Sequence, residues 1–206
     1  PYRRQRQMCI RDRLSAIPHL PTFDLGRNVT PLFDHHHQHD GQTSIDPHVW
    51  MSPENLNSMA AVACRALCRL DSANSQTYQQ NLARFCRSNE LLDDSLHRAL
   101  KPLRHRSFII HHPALGYLAR RYGLRQIAVE HDGKEPSAAR IRQIISRARA
   151  EGVTTVFISK EHTGRAARQI AEAIGARVVE INPLDYDVPR QLRLITDALT
   201  QTAAPR

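Results

Sequence analysis

The sequence is short of several things at once. Its 206 residues hold three lysines (Lys101, Lys134, Lys160), one tryptophan, four cysteines and 5% aromatics. No apolar run approaches the ~20 residues of a membrane span. No apolar stretch of the kind found in a secretion signal follows the basic opening. The shortage of lysine makes the formal charge of +9 almost wholly arginine. Those arginines are spread along helical stretches, with no aromatic platform on which bases could stack, so a nucleic-acid partner is not expected. Arg3, Arg4, Arg6, Arg11 and Arg13 crowd the opening against a single Asp12. Residues 1–13 show no hydrophobic periodicity and read as a non-native or disordered segment outside the fold. Cys9 falls there. Cys64 and Cys68 stand four apart on a predicted helix, with Cys86 on the next. They lack the Cys-x-x-Cys loop context of a metal site and read as small buried hydrophobes.

What is present is a hydrophobic fraction of 41%, enough for one sizeable core or two small lobes. Residues 17–32 form an irregular extended stretch with Pro18, Pro21 and Pro31. Residues 33–43 are polar and His-rich and read as a loop. Ser52, Pro53 and Glu54 signal a helix start, and that helix is expected to reach Leu70. From Ser75 to Leu103, Tyr78, Leu82, Phe85, Leu92, Leu96, Leu100 and Leu103 recur at helical spacing. Such a helix is roughly 40 Å long, a strut rather than one wall of a small core. Strands and helices then alternate: strands over 107–111, 126–129, 153–159 and 177–181, helices over 113–122, 137–150, 163–174 and 189–202. This pattern predicts a parallel sheet with right-handed crossovers, whose ligands sit beyond the carboxyl ends of the strands.

Twelve histidines stand out against this background. Neutral imidazole is the commonest protein ligand for zinc and its neighbours. His48 lies in an Asp46-Pro47-His48 turn walled by Trp50, and Asp46 is placed to orient its ring. His112 ends a predicted strand directly before a proline-started helix. His111 would face the other way in an extended strand, which makes it structural or an outer partner of the metal site. The run His35, His36, His37 and His39, within a loop over 34–40, offers further imidazoles. That run can collect metal or be a solvated loop with adventitious affinity.

The segments DPHVWMSPENL, HHPALGYLARRYGL, KEPSAARIRQII and VFISKEHTGRAARQIAEAIGARVVEINPLD, in this order, resemble the metal-binding solute receptors of bacterial ABC importers. The likeness covers Pro18 to the C-terminus and is to the zinc branch, the periplasmic high-affinity zinc-uptake receptors. The resemblance implies two α/β lobes bridged by a single long helix, with metal in the cleft between them. It implies a remnant of the N-terminal lobe over 14–74, a connecting helix over 75–104 and a C-terminal α/β lobe over 105–206. The N-lobe is expected to be incomplete, and with it the first histidine ligand and the export signal are expected to be missing. His48 and His112 take the family's second and third histidine positions. Asn182 stands near a further, acidic position, with Asp185 three residues on. Zn2+ is the expected ion. Relatives selecting Mn2+ tend to use a carboxylate where this chain has His112.

The function implied is zinc capture in the periplasm and delivery to an inner-membrane ABC permease, by a monomer and without catalysis. The rivals are a manganese-type receptor, a metal-storage module built on the His run, and a zinc hydrolase drawing on Glu130, Glu135 or Glu161. None of those carboxylates sits in a His-Glu-x-x-His arrangement.

Overall fold

A computed structural model describes residues 13–14, 16–39, 42–130, 135–160 and 164–201. Four strands form a parallel sheet: β3 (Ser107–Ile110), β4 (Arg125–Ala128), β5 (Thr155–Ser159) and β6 (Arg177–Ile181), in the order β4-β3-β5-β6. The α/β class and the parallel sheet are as expected. Alternation along the strands divides the core in two. Phe108, Ile110, Phe157 and Ile181 face one side, and Ile109, Ile127, Val156 and Ile158 face the other. The second side is covered by α4 (Ala138–Ala150) and α5 (Arg165–Ile174) through Ile144, Ala148, Ala167 and Ile170.

The first side receives α6 (Val188–Thr200) and the last turns of α2 (Ser75–Leu100), whose Leu92, Leu96 and Leu100 are buried in it. The N-terminal half of α2 packs instead on α1 (Pro53–Leu70). Tyr78 donates to Asp71 at 2.7 Å, and Asn89 donates to the Pro53 carbonyl. At 26 residues, α2 is about 39 Å long. It therefore joins the α/β lobe to the part of the chain that precedes it.

Three local expectations are corrected. The helix foreseen from Pro113 begins at Gly116, as α3 (Gly116–Tyr122), and ends at Gly123 in the left-handed conformation with φ 64°. The Leu115 N–H is taken by Gln126 Oε1 at 2.8 Å, which pins the chain to β4 before the helix can start. The His-rich stretch foreseen as a loop is strand β1 (Phe33–His39), paired antiparallel with β2 (Gln42–Ile45). Backbone pairing in a hairpin does not require the side-chain alternation that this stretch lacks. Ser52 precedes α1 as expected but makes no capping hydrogen bond through its side chain. Residues 1–12, 131–134 and 161–163 lie outside the described residues, and Cys9, His131 and Glu161 with them.

Candidate metal centre

The Asp46-Pro47-His48 turn is built around one carboxylate. Asp46 Oδ1 accepts from the His48 backbone N–H at 2.9 Å and pairs with its ring Nδ1 at 2.7 Å. Asp46 is itself fixed from behind. Its N–H donates to the Leu32 carbonyl at 2.8 Å, and its carbonyl accepts from the Tyr117 hydroxyl at 3.1 Å. The same hydroxyl accepts from the Leu32 N–H at 3.1 Å. Gly116 lets this bracket close: a Cβ there would lie 2.6 Å from both Asp46 Oδ2 and Leu32 Cδ2. Trp50 meets the His48 ring edge-on at 5.6 Å and donates through Nε1 to the Pro183 carbonyl at 2.8 Å. The Trp50 contact ties the loop after β6 to the His48 turn.

His112 arrives from the sheet. Beyond the end of β3, the His111 N–H donates to the Phe157 carbonyl at 2.9 Å, and the Glu130 N–H donates to the His111 carbonyl at 3.0 Å. Residues 111–112 form a bend at the end of β3. Glu130 Oε2 lies 3.3 Å from His112 Nδ1 and 3.9 Å from His111 Nε2. Both His111 and Glu130 are buried, whereas the His112 side chain is 30% exposed.

The two halves meet. The His48 and His112 ring centroids are 5.2 Å apart, with planes inclined at 75°. Each ring has Nδ1 beside a buried carboxylate, Asp46 for one and Glu130 for the other. A Nδ1–H held by a carboxylate leaves Nε2 as the ring's lone-pair nitrogen, the tautomer that metal-ligating histidines use. The arrangement is two oriented imidazoles at the carboxyl edge of a parallel sheet. Among the described residues, no three His, Cys, Asp or Glu side chains are arranged to hold one metal ion together.

Asn182 and Asp185 make hydrogen bonds within the loop after β6 and the start of α6. Asp185 braces its own loop: Oδ1 accepts from the Asp187 N–H at 3.0 Å and Oδ2 from Gln191 Nε2 at 3.2 Å. Asn182 Oδ1 accepts from the Leu184 N–H at 3.1 Å. His35, His36, His37 and His39 lie on β1, of which the backbone alone is described. In the sequence alone, Glu130 is only a carboxylate available to a hydrolase. The signal that could have found it is its position directly after a predicted strand, at the same sheet edge as His112.

The chain is similar to known proteins. Residues 10–201 match the family model for the zinc-uptake complex component A, periplasmic. A protein of Treponema pallidum (strain Nichols), provisionally named as metal-binding, is 30% identical over 173 residues, 79% of this chain and 55% of that protein. The high-affinity zinc uptake system protein ZnuA of Bacillus subtilis (strain 168) is 28% identical over 144 residues, 69% of this chain and 45% of that protein. The chain thus spans about half the length of these relatives. A crystal structure of ZnuA superposes with a TM-score of 0.86 at 32% identity, covering 94% of this chain and 75% of that one. A zinc-bound ZnuA deletion mutant gives 0.85 at 32%, covering 97% and 76%.

Proposed function

Since the chain belongs to the family of periplasmic zinc-uptake component A, we propose that it captures a zinc ion between His48 and His112 and passes it to an ABC permease of the inner membrane. The observation that carries this reading is the 5.2 Å approach of the two rings, one from the turn before α1 and one from the end of β3. Zinc is the cargo, and no bond of it is made or broken beyond coordination. Asp46 and Glu130 act through the imidazoles they orient, and their loss costs metal affinity even though neither need touch the ion.

Imidazole at position 112 favours zinc over manganese, which prefers carboxylate, carbonyl and water ligands. The same carboxylate–imidazole pairing gives Glu130 an orienting role rather than that of a general base. We place the protein in the periplasm, acting as a monomer, with the histidines of β1 as auxiliary donors that raise the local zinc concentration. Asp185 serves this site as a brace for the loop that Trp50 touches.

Calorimetric zinc titration of the full chain tests the reading. The expected outcome is one zinc per chain at the cleft, with that binding lost in His48→Ala and in His112→Ala. Unchanged one-to-one binding in the double variant would sink it. Deleting residues 35–39 is expected to leave the cleft site in place, and losing all binding on that deletion would favour a storage module instead.

A further inference from the structure

The zinc reading uses no thiol, yet two thiols stand together far from the imidazole pair. Cys64 and Cys68 lie one turn apart on the same face of α1, with their Sγ atoms 3.9 Å apart. Cys64 is buried and Cys68 half-buried, and both are free thiols. Cys68 Sγ is also 3.8 Å from the Ser75 carbonyl, so the pair is seated at the corner where α1 turns into α2. At 1.5 Å per residue, Cys64 is about 16 Å along α1 from Pro53, the end nearest His48.

We propose that Cys64 and Cys68 form a second cation site, a two-thiolate clamp for a soft monovalent d10 ion of the Cu(I) class. Two metal–sulfur bonds of the length zinc takes, about 2.3 Å, reach at most about 4.6 Å from sulfur to sulfur, and a soft monovalent ion needs a similar span. The observed 3.9 Å already lies within that reach, and small rotations about Cα–Cβ adjust it. Thiolate is the donor that selects soft ions, whereas the imidazoles of the cleft suit zinc. Zinc in a structural site takes four ligands, and among the described residues no third His, Cys, Asp or Glu joins the two thiols. A soft monovalent ion is satisfied by two.

The chemistry balances without oxidation. Two S–H bonds break, two metal–sulfur bonds form, two protons pass to solvent, and the ion keeps its charge. The clamp then carries a net charge of minus one, with Arg65 next to Cys64 along the chain. Burial pushes the Cys64 thiol up and the neighbouring Cys68 adds to this, while Arg65 pulls it down.

The test uses the full chain carrying Cys9→Ser and Cys86→Ser, so that only the pair remains. Cu(I) is titrated anaerobically against a chromophoric Cu(I) chelator. The expected result is one Cu(I) per chain with release of two protons, and X-ray absorption showing two sulfur neighbours. Adding Cys64→Ser or Cys68→Ser should weaken binding by roughly 100-fold or more, beyond the 10–100-fold that outer partners of a metal site cost. His48→Ala with His112→Ala should leave it unchanged, which separates this site from the zinc reading. Cys68→Ala, at the half-buried position, repeats the test if a serine variant unfolds by circular dichroism. Cu(I) binding that survives loss of both thiols, or nitrogen rather than sulfur neighbours, would overturn the proposal. So would isolation of the pair as a disulfide that takes up no metal after reduction.

Discussion

At the scale of single residues, the site is a set of small distances around Asp46. The sequence could supply the pairing of Asp46 with His48, because a carboxylate two residues before a histidine in a proline turn has few other places to go. The role of Gly116 was carried only by its place in a motif. The structure gives it a physical cause, since any side chain there collides with Asp46 Oδ2 and Leu32 Cδ2 at 2.6 Å. Gly116→Ala is therefore expected to displace the Asp46 carboxylate from His48 and to weaken zinc binding by roughly 10–100-fold, the usual cost of losing an outer partner. Calorimetry reads this, and unchanged affinity would mean that Asp46 does not govern the ring. Tyr117→Phe removes the hydroxyl that accepts from Leu32 and donates to Asp46. Leaving those backbone groups unpaired should cost about 1–3 kcal/mol in urea denaturation. Sequence could place Glu130 at the same sheet edge as His112 but not within reach of its ring. Its nearness depends on the register of β3 against β4, where Ile110 lies opposite Ala128, and register is a long-range fact.

At the scale of elements, helix α2 was the most legible feature, because its apolar spacing runs over seven turns. What it packs against was not. Its Asp93 accepts from the Tyr122 hydroxyl at 2.6 Å and from Arg121 Nη2 at 2.5 Å, and Arg121 also reaches Glu54 of α1 at 3.0 Å. Arg121 of α3 thereby bridges α1 and α2. Burial alone would push the Asp93 carboxyl up, but the hydrogen bonds from Arg121 and Tyr122 outweigh it and hold the group below its ordinary value near 3.8. A depressed carboxylate stabilises the fold at pH above its ordinary value, and that contribution fades as the pH falls through the folded-state value. The native chain should therefore lose stability faster than Asp93→Asn as pH is lowered from 6 to below 4. Parallel acid dependence of the two urea midpoints would refute this. Leu96→Ala, at the buried end of α2, is expected to cost about 2–5 kcal/mol through the cavity it leaves. The misjudged start of α3 has the opposite lesson. Pro113 is a good local helix start, yet the hydrogen bond from Leu115 to Gln126 overrides it, and the non-helical residues 112–115 aim His112 at the cleft.

At the scale of the whole molecule, the two imidazoles stand 64 positions apart in sequence and 5.2 Å apart in space. The intervening chain is the α1–α2 hairpin and strand β3, so the approach of the rings is set by how α2 seats on the sheet. Two further links close the same gap, the Tyr117 bracket on Asp46 and the Trp50 bond to the Pro183 carbonyl. An ion held by both rings would be a third link between the segment before α1 and the α/β lobe. A ligand that binds the folded chain and not the unfolded one stabilises it by mass action, about 2.7 kcal/mol at a free concentration 100 times Kd. Zinc is thus expected to raise the melting temperature of the full chain, and each of His48→Ala and His112→Ala should abolish most of that rise. The two losses should not add, because one ring alone no longer joins the two parts. Calorimetric melting with and without zinc gives the answer. An equal rise in the single and double variants would mean that zinc binds outside the cleft, and that the meeting of the two rings is a packing contact alone.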